Sequence, residues 1–247
     1  MRSLLIALCA VYALNLPAFS GKNNTPPEHI ENKKFDPKAI PILEEPEVNT
    51  SFAKKEWKEY QQAEAPSCDE KNVWRISLAK SRLDVTSFKN KDAPVTGRFD
   101  RYSINILADK EETDAGGVGA IDLSSWNSDN LPRDNRVKRY ILGVEKEGES
   151  IAPFSFSITP WQKTGTWKAN LTIDLTLNKK AHKMEIPVNI TRSAKNITMN
   201  STGPGRIVYA SAVSMNEIHK LLERCNHHFL SSFVDVGFET TFTPGCK

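Results

Sequence analysis

The chain has 247 residues, of which 39% are hydrophobic, and its 33 basic and 30 acidic side chains give a net charge of +3 at neutral pH. This near balance of charge favours neither a nucleic acid nor an anionic membrane as a partner. Outside the N-terminus the sequence contains no long apolar run, and a membrane-spanning helix needs about 20 apolar residues. We therefore expect a soluble mature chain without stable membrane insertion.

The first 20 residues have the layout of a secretory signal peptide. Arg2 precedes an apolar run from Leu4 to Leu16, which is too short to span a membrane, and small residues at Ala18 and Ser20 mark a cleavage site. This layout predicts an exported protein that is periplasmic or secreted.

Residues 21–67 are predicted to form an extended linker or arm rich in proline and charge. They contain six prolines and few apolar residues spaced for a core, although Phe52–Gln62 is compatible with a brief polar helix. The remaining residues, 68–247, are sufficient for one all-β domain.

Much of this domain alternates apolar and polar side chains at the two-residue period of half-buried strands. In Trp167–Leu177 every odd position is apolar and every even position is polar, and Met184–Ile190 repeats the pattern after a polar turn. The predicted strands are Val73–Leu78, Arg82–Phe88, Val95–Leu107, Gly117–Leu123, Pro153–Pro160, Thr166–Asn178, Lys183–Arg192, Arg206–Ser211 and Phe233–Phe242. If the first two form one long bent strand, the total is eight.

Two helices are predicted between or beside these strands. Ser214–His228 begins with a capping serine and has Glu217 three residues later, as in a capping box. A shorter helix is predicted over Arg133–Ile141. Each is expected to lie over a barrel mouth or against the barrel wall.

The mature chain retains three cysteines, of which at least one pair is expected to form a disulfide in an oxidising compartment. Cys68 precedes the first strand and Cys246 follows the last, and these ends lie side by side in a closed barrel with an even number of strands. We predict a Cys68–Cys246 disulfide, with pairing of Cys225 to either residue as the alternative.

The sequence offers no arrangement that indicates catalysis or metal binding. His219, Cys225, His227 and His228 cluster in the chain, but without the Cys-x-x-Cys or His-x-x-x-His spacing of zinc sites. There is no nucleophile elbow, phosphate-binding loop or dinucleotide fingerprint. We therefore predict a protein that is not an enzyme and has neither catalytic residues nor a metal site.

Three segments in order resemble the YceI-like family of lipid-binding proteins. They are a Val-x-Gly-x-Phe strand, an Ile-Asp strand followed by an Arg-Asp pair, and a hairpin of the form Leu-Thr-x-x-Leu, loop, Pro-Val. The residues that carry them are Val95, Gly97, Phe99, Ile121, Asp122, Arg133, Asp134, Leu171, Thr172, Leu175, Pro187 and Val188. The resemblance implies a single extended, antiparallel, eight-stranded lipocalin-like barrel that holds an isoprenoid chain, either a polyprenyl lipid or an isoprenoid quinone, with no other cofactor.

The expected ligand site is the apolar interior of this barrel. Its predicted lining is Leu83, Val85, Phe99, Ile121, Leu123, Phe154, Phe156, Ile158, Leu171, Ile173, Leu175, Ile186, Val188, Val236 and Phe238, with Trp126, Arg133 and Asp134 as rim candidates. An eight-stranded barrel can also be filled by its own side chains, which would make the protein an interaction module. A third alternative, an outer-membrane barrel, requires the apolar faces to point outward.

Overall fold

The computed structural model describes residues 28–40, 45–63, 72–146 and 148–245. The predicted signal peptide lies outside these residues. The described part contains strands β1 His29–Glu31, β2 Asn72–Ile76, β3 Arg82–Lys89, β4 Ala93–Phe99, β5 Tyr102–Ala108, β6 Ala115–Asp122, β7 Trp126–Asn127, β8 Ile151–Thr159, β9 Gly165–Leu177, β10 Lys180–Arg192, β11 Ile197–Ser201, β12 Gly205–Ile207, β13 Phe229–Ser231 and β14 Val234–Pro244. Its α-helices are α1 Ser51–Ala63, α2 Leu131–Arg136 and α3 Met215–Cys225.

The strands form a closed antiparallel barrel, as predicted. β14 pairs with β3 at Val236 and Val85, and further along it pairs with β2 at Phe242 and Ile76. β2 and β3 therefore act as one bent strand, interrupted by a 3-10 turn at Leu78–Lys80. β4 and β5 form a second bent strand, because they pair with β3 and β2 respectively. With β11 and β12 counted together, the barrel has eight strands.

The prediction of an unbroken strand over Val95–Leu107 was wrong at Asp100 and Arg101. There the backbone N–H of Arg101 donates to Ser125 Oγ at 3.0 Å, and its guanidinium binds Asp122 at 2.8 Å. The neighbouring strand bends at the same level, where a 3-10 turn at Leu123–Ser125 separates β6 from β7. The two bends are thus stabilised by contacts across the strands, which a single-strand pattern does not reveal.

The region between β10 and β14 also differs from expectation. β11 was not predicted, because only Ile197 and Met199 supply its buried face. The predicted strand Arg206–Ser211 shortens to β12 and is followed by a 3-10 turn at Tyr209–Ser211. The Tyr209 hydroxyl donates to the carbonyl of Ser231, which holds this turn against β13.

Both predicted helices of the domain are present with altered bounds. The Ser214 side chain caps α3 by accepting from the Glu217 N–H at 3.3 Å, and the helix ends before Asn226, which has a left-handed φ of 46°. α2 begins two residues earlier than expected and continues as a π-helix over Val137–Ile141. α3 packs against this π-helix.

The described parts of the N-terminal arm pack on the barrel. β1 pairs with β13, and the helix expected at Phe52–Gln62 is α1. Ile30, Val48, Ala53 and Trp57 are buried, so four apolar side chains of the arm contribute to the core. They were missed because isolated apolar residues in a proline-rich, charged stretch show no period.

The apolar face of the hairpin β9–β10 points into the barrel. Leu171, Ile173 and Leu175 are buried, whereas Asp174 and Thr176 between and beyond them are exposed. An outer-membrane barrel would require the opposite arrangement. Among the described helices, none is both long and apolar enough to cross a membrane.

The predicted disulfide falls on Cys68 and Cys246, which lie outside the described residues. Cys225 is a buried free thiol. Val73 follows Cys68 by five residues, and Gly245 directly precedes Cys246. The Gly245 N–H donates to the Val73 carbonyl at 2.7 Å, so the first and last barrel strands are adjacent at this point.

Candidate functional site

An internal cavity of about 230 Å³ occupies one half of the barrel. On β9 it is lined by Leu171, Ile173, Leu175 and Leu177, but not by Trp167 or Ala169 at the start of the strand. It extends to the end covered by α2, the π-helix and α3, which we call the helical end. An apolar cavity of about 150 Å³ already binds benzene, so this space is large enough for part of a hydrocarbon chain.

Most of the predicted interior residues line this cavity. Those that do are Leu83, Val85, Phe99, Ile121, Leu123, Phe154, Phe156, Leu171, Ile173, Leu175, Ile186, Val236 and Phe238. Ile158 and Val188, which were also predicted to line the site, are each 1% exposed and lie outside the cavity. The reason is that side chains fill the other half of the barrel.

That other half is closed by three tryptophans and an ion pair between a buried arginine and a half-buried glutamate, which together we call the tryptophan end. The Arg192 guanidinium lies 5.2 Å from the ring centre of Trp74 and 5.0 Å from that of Trp161, and it binds Glu112 at 2.7 Å. Trp161 in turn packs edge-on against Trp167 at 5.7 Å. The barrel is therefore self-filled at this end and hollow at the other, contrary to the alternative of a wholly self-filled barrel.

Two glycines make room for the aromatic wall of the cavity. Phe156 pairs with Gly117 and Phe154 with Gly119, so each ring lies on the same face as the glycine opposite. A Cβ at Gly117 would stand 2.3 Å from Phe156 Cζ, and one at Gly119 would stand 2.4 Å from Phe154 Cζ. Both glycines fall within the predicted strand Gly117–Leu123, and the run of small residues opposite a Phe-x-Phe strand was the available signal for this part of the wall.

The Val-x-Gly-x-Phe segment has a corresponding function in the wall. Gly97 faces Trp126, whose indole would lie 2.3 Å from an added Cβ. Phe99 packs edge-on against the same indole at 5.4 Å. Trp126, which was predicted to lie at the rim, is 7% exposed and forms part of the cavity wall.

The two acidic residues of the Ile-Asp and Arg-Asp segments hold loops in place. Asp122 is fully buried and accepts from the N–H and hydroxyl of Ser124, at 2.9 and 2.6 Å, and from Arg101. Asp134 is also buried and accepts from the Ser128 N–H at 3.0 Å. Asp134, which was also predicted to lie at the rim, does not line the cavity.

Arg133, the remaining rim candidate, does line the helical end of the cavity. Its guanidinium donates to the hydroxyl and the carbonyl of Ser128, both at 2.7 Å. The Arg-Asp pair therefore joins the loop before α2 to the helix itself.

Sequence reasoning missed the basic side chains beside Arg133. Lys89, Arg136 and His227 also line the helical end, together with Cys225. Burial, together with the nearby charges of Lys89 and Arg136, lowers the pKa of His227 to about 4. Burial raises the pKa of the Cys225 thiol, while the contact with Arg136 opposes that rise. At neutral pH this end therefore has a neutral imidazole, a protonated thiol and cationic side chains.

His228 points away from Cys225 and His227. The His228 ring stacks on Phe35 at 4.8 Å, whereas His227 and Cys225 both line the cavity. The described residues contain no group of three or more His, Cys, Asp or Glu side chains that could hold a metal ion.

Comparisons with known proteins agree with this fold. A polyisoprenoid-binding domain from Saccharophagus degradans, implicated in plant cell wall breakdown, has a TM-score of 0.57 and 22% identity, covering 70% of this chain and 99% of that one. BcnA of Burkholderia cenocepacia has a TM-score of 0.53 and 18% identity, covering 67% and 98% of the two chains. A search of curated proteins found no significant match. The family model of the YceI-like domain matches residues 74–238, and the chain belongs to the YceI-like family.

Proposed function

We propose that this protein binds a long apolar lipid of the polyisoprenoid type inside the hollow half of its barrel. In this proposal it carries or stores the lipid after export to the periplasm or the exterior, and it catalyses no reaction. The observation that carries the proposal is the cavity, which is lined mostly by apolar side chains and closed at the tryptophan end. The polyisoprenoid-binding domain of S. degradans, which shares the fold, supports the same class of ligand.

The apolar cavity can supply the binding free energy without polar contacts. Burial of one methylene contributes about 0.8 kcal/mol, so one five-carbon isoprene unit contributes roughly 3 kcal/mol before the cost of ordering the chain. A few buried units are therefore sufficient for tight binding. The closed tryptophan end sets a limit to how far the chain enters.

The proposal is tested by extracting the natively expressed protein, purified without detergent, with organic solvent and analysing the extract by mass spectrometry. We expect a stoichiometric prenyl lipid, and the delipidated protein should take up an added isoprenoid quinone. Leu175→Trp fills the cavity without adding charge and should reduce both readouts, whereas Thr176→Trp on the exposed outer face is the matched control. Absence of both lipid and quinone uptake would contradict the proposal.

A further inference from the structure

The cavity ends at the same level on three neighbouring strands. Phe156 of β8, Leu171 of β9 and Ile186 of β10 are the last inward residues that line it in the direction of the tryptophan end. The next inward residues of these strands are buried and lie outside the cavity, and we call them the floor layer: Ile158, Ala169 and Val188. Ala169 pairs with Val188, and Ile158 lies on the strand adjacent to that of Ala169, so the floor layer crosses all three strands.

The floor layer is packed against the tryptophan end. Beyond it, Ile190 and Trp167 form a buried pair on β10 and β9. The Trp167 Nε1–H donates to the Pro160 carbonyl at 2.9 Å, and the ring of Trp161 packs against the indole. Ile190, Trp167 and Trp161 belong to the same buried cluster as the floor layer. Because a close-packed core resists the insertion of further methylene groups, an entering chain stops at the floor layer.

The depth of the cavity corresponds to only a few isoprene units. From Leu171 to Leu177, β9 lines it over about 20 Å at about 3.3 Å per residue, or about 15 Å along the axis of a barrel whose strands tilt by about 40°. Three main-chain bonds of an extended peptide span about 3.5 Å, so the four main-chain bonds of an isoprene unit span roughly 4.5 Å. The depth therefore accommodates about three units. The volume of about 230 Å³, compared with about 150 Å³ for a cavity that holds benzene, accommodates about two.

We propose that the floor layer determines how much of a prenyl chain this protein binds. The cavity takes the two or three isoprene units at the apolar end of the chain, and the units beyond them stay outside it. This inference rests on the proposed function, because it concerns the same cavity. It predicts that affinity rises with chain length up to a limit of about three units, which we call the length limit, and is then insensitive to further units.

The test measures affinity as a function of chain length. The delipidated full-length protein is titrated with monomeric prenols of two, three, four and five isoprene units, which compete with a fluorescent farnesyl probe. Because each buried unit removes five carbon atoms from water, the dissociation constant should fall at least about tenfold from two to three units. From three to four units and from four to five, it should change by less than about twofold, because the added unit is not buried.

Two opposite changes at the floor test which side chains set the length limit. Ile158→Ala combined with Val188→Ala deletes about five carbon atoms, as many as one isoprene unit contains, and should move the limit to chains about one unit longer. Leu171→Phe fills space above the floor layer and should move the limit to shorter chains. The matched control is Ile218→Ala combined with Val213→Ala, which deletes the same groups from a separate buried cluster outside the cavity and should leave the limit unchanged.

The outcomes separate this inference from the proposed function. Affinity that keeps rising by a similar factor through five units would overturn the inference and leave the proposed function standing, whereas failure of every prenol to bind would overturn both. A length limit that neither floor variant moves, or that the control variant moves equally, would also overturn the inference. If the double deletion at the floor does not fold, Leu171→Phe decides alone, because it adds volume and leaves no void: a shorter limit supports the inference and an unchanged limit contradicts it.

Discussion

The inward orientation of β9 predicts opposite outcomes for a charge placed on its two faces. Ile173 is 7% exposed, lines the cavity and pairs with Phe156 and Met184, whereas Thr176 is exposed and pairs with Ala181. We expect Ile173→Asp to be strongly destabilising and Thr176→Asp to be tolerated. Each substitution introduces the same carboxylate into the same strand, so the two variants form a matched pair.

The magnitude follows from what Ile173 contributes. Loss of its burial removes about 1.5–3 kcal/mol, and desolvation of an unpaired polar group adds several kcal/mol. Small domains unfold with a free energy of about 5–15 kcal/mol, so Ile173→Asp should remove a large part of the stability. For Thr176→Asp we expect a change within about 0.5 kcal/mol.

The assay is urea denaturation followed by circular dichroism, at pH 4 and at pH 7. A buried carboxyl has a raised pKa, because burial disfavours its charged form, so the cost of Ile173→Asp should grow as the pH rises above the usual range of an aspartate. Equal stability losses for the two variants, or a larger loss for Thr176→Asp, would refute the assigned orientation of the barrel wall.

Three further predictions concern the wall, the helical end and the chain termini. Gly117→Ala should lower the free energy of unfolding by about 1–3 kcal/mol in the same denaturation assay, because the added Cβ would lie only 2.2 Å from a neighbouring atom. Gly237→Ala is the control and should change this free energy much less, because its added Cβ would have its nearest contact at 3.4 Å. In the folded apoprotein, NMR should show the His227 imidazole titrating near pH 4. Because folding lowers this pKa, the contribution of His227 to stability is present above about pH 6.5 and is lost as the pH falls toward 4. A titration midpoint near pH 6.5 would contradict the burial of the ring. Peptide mapping without reduction should recover Cys68 linked to Cys246, while a linkage through Cys225 would show that the predicted pairing is wrong.

The fold was predictable from the sequence where the residues of a single strand or helix determine its conformation and its buried face. The strict alternation of Trp167–Leu177 determines which face is buried, and the structure places those odd-numbered residues inside. Likewise, Ser214 and Glu217 locate the start of α3 through their own capping contact. In both cases the determining interactions are local in sequence.

The site was predictable only in part, because the cavity depends on contacts between distant segments. Ile158 and Val188 have the same pattern as Phe156 and Ile186, and only the Arg192 cluster explains why their half of the barrel is filled. The cationic lining was missed for a related reason. Lys89, Arg136 and His227 come from three separate elements, and no motif in the chain connects them.

The central claim is that an apolar chain lies in the helical half of the barrel. Photolabelling of the delipidated protein with a diazirine-bearing prenyl lipid, followed by peptide mass spectrometry, tests this most directly. We expect label on cavity residues such as Phe156, Leu175 and Val236 and none on Val188, which is buried in the filled half. Label confined to the outer face, for example at Thr176, or to residues of the tryptophan end would contradict the claim.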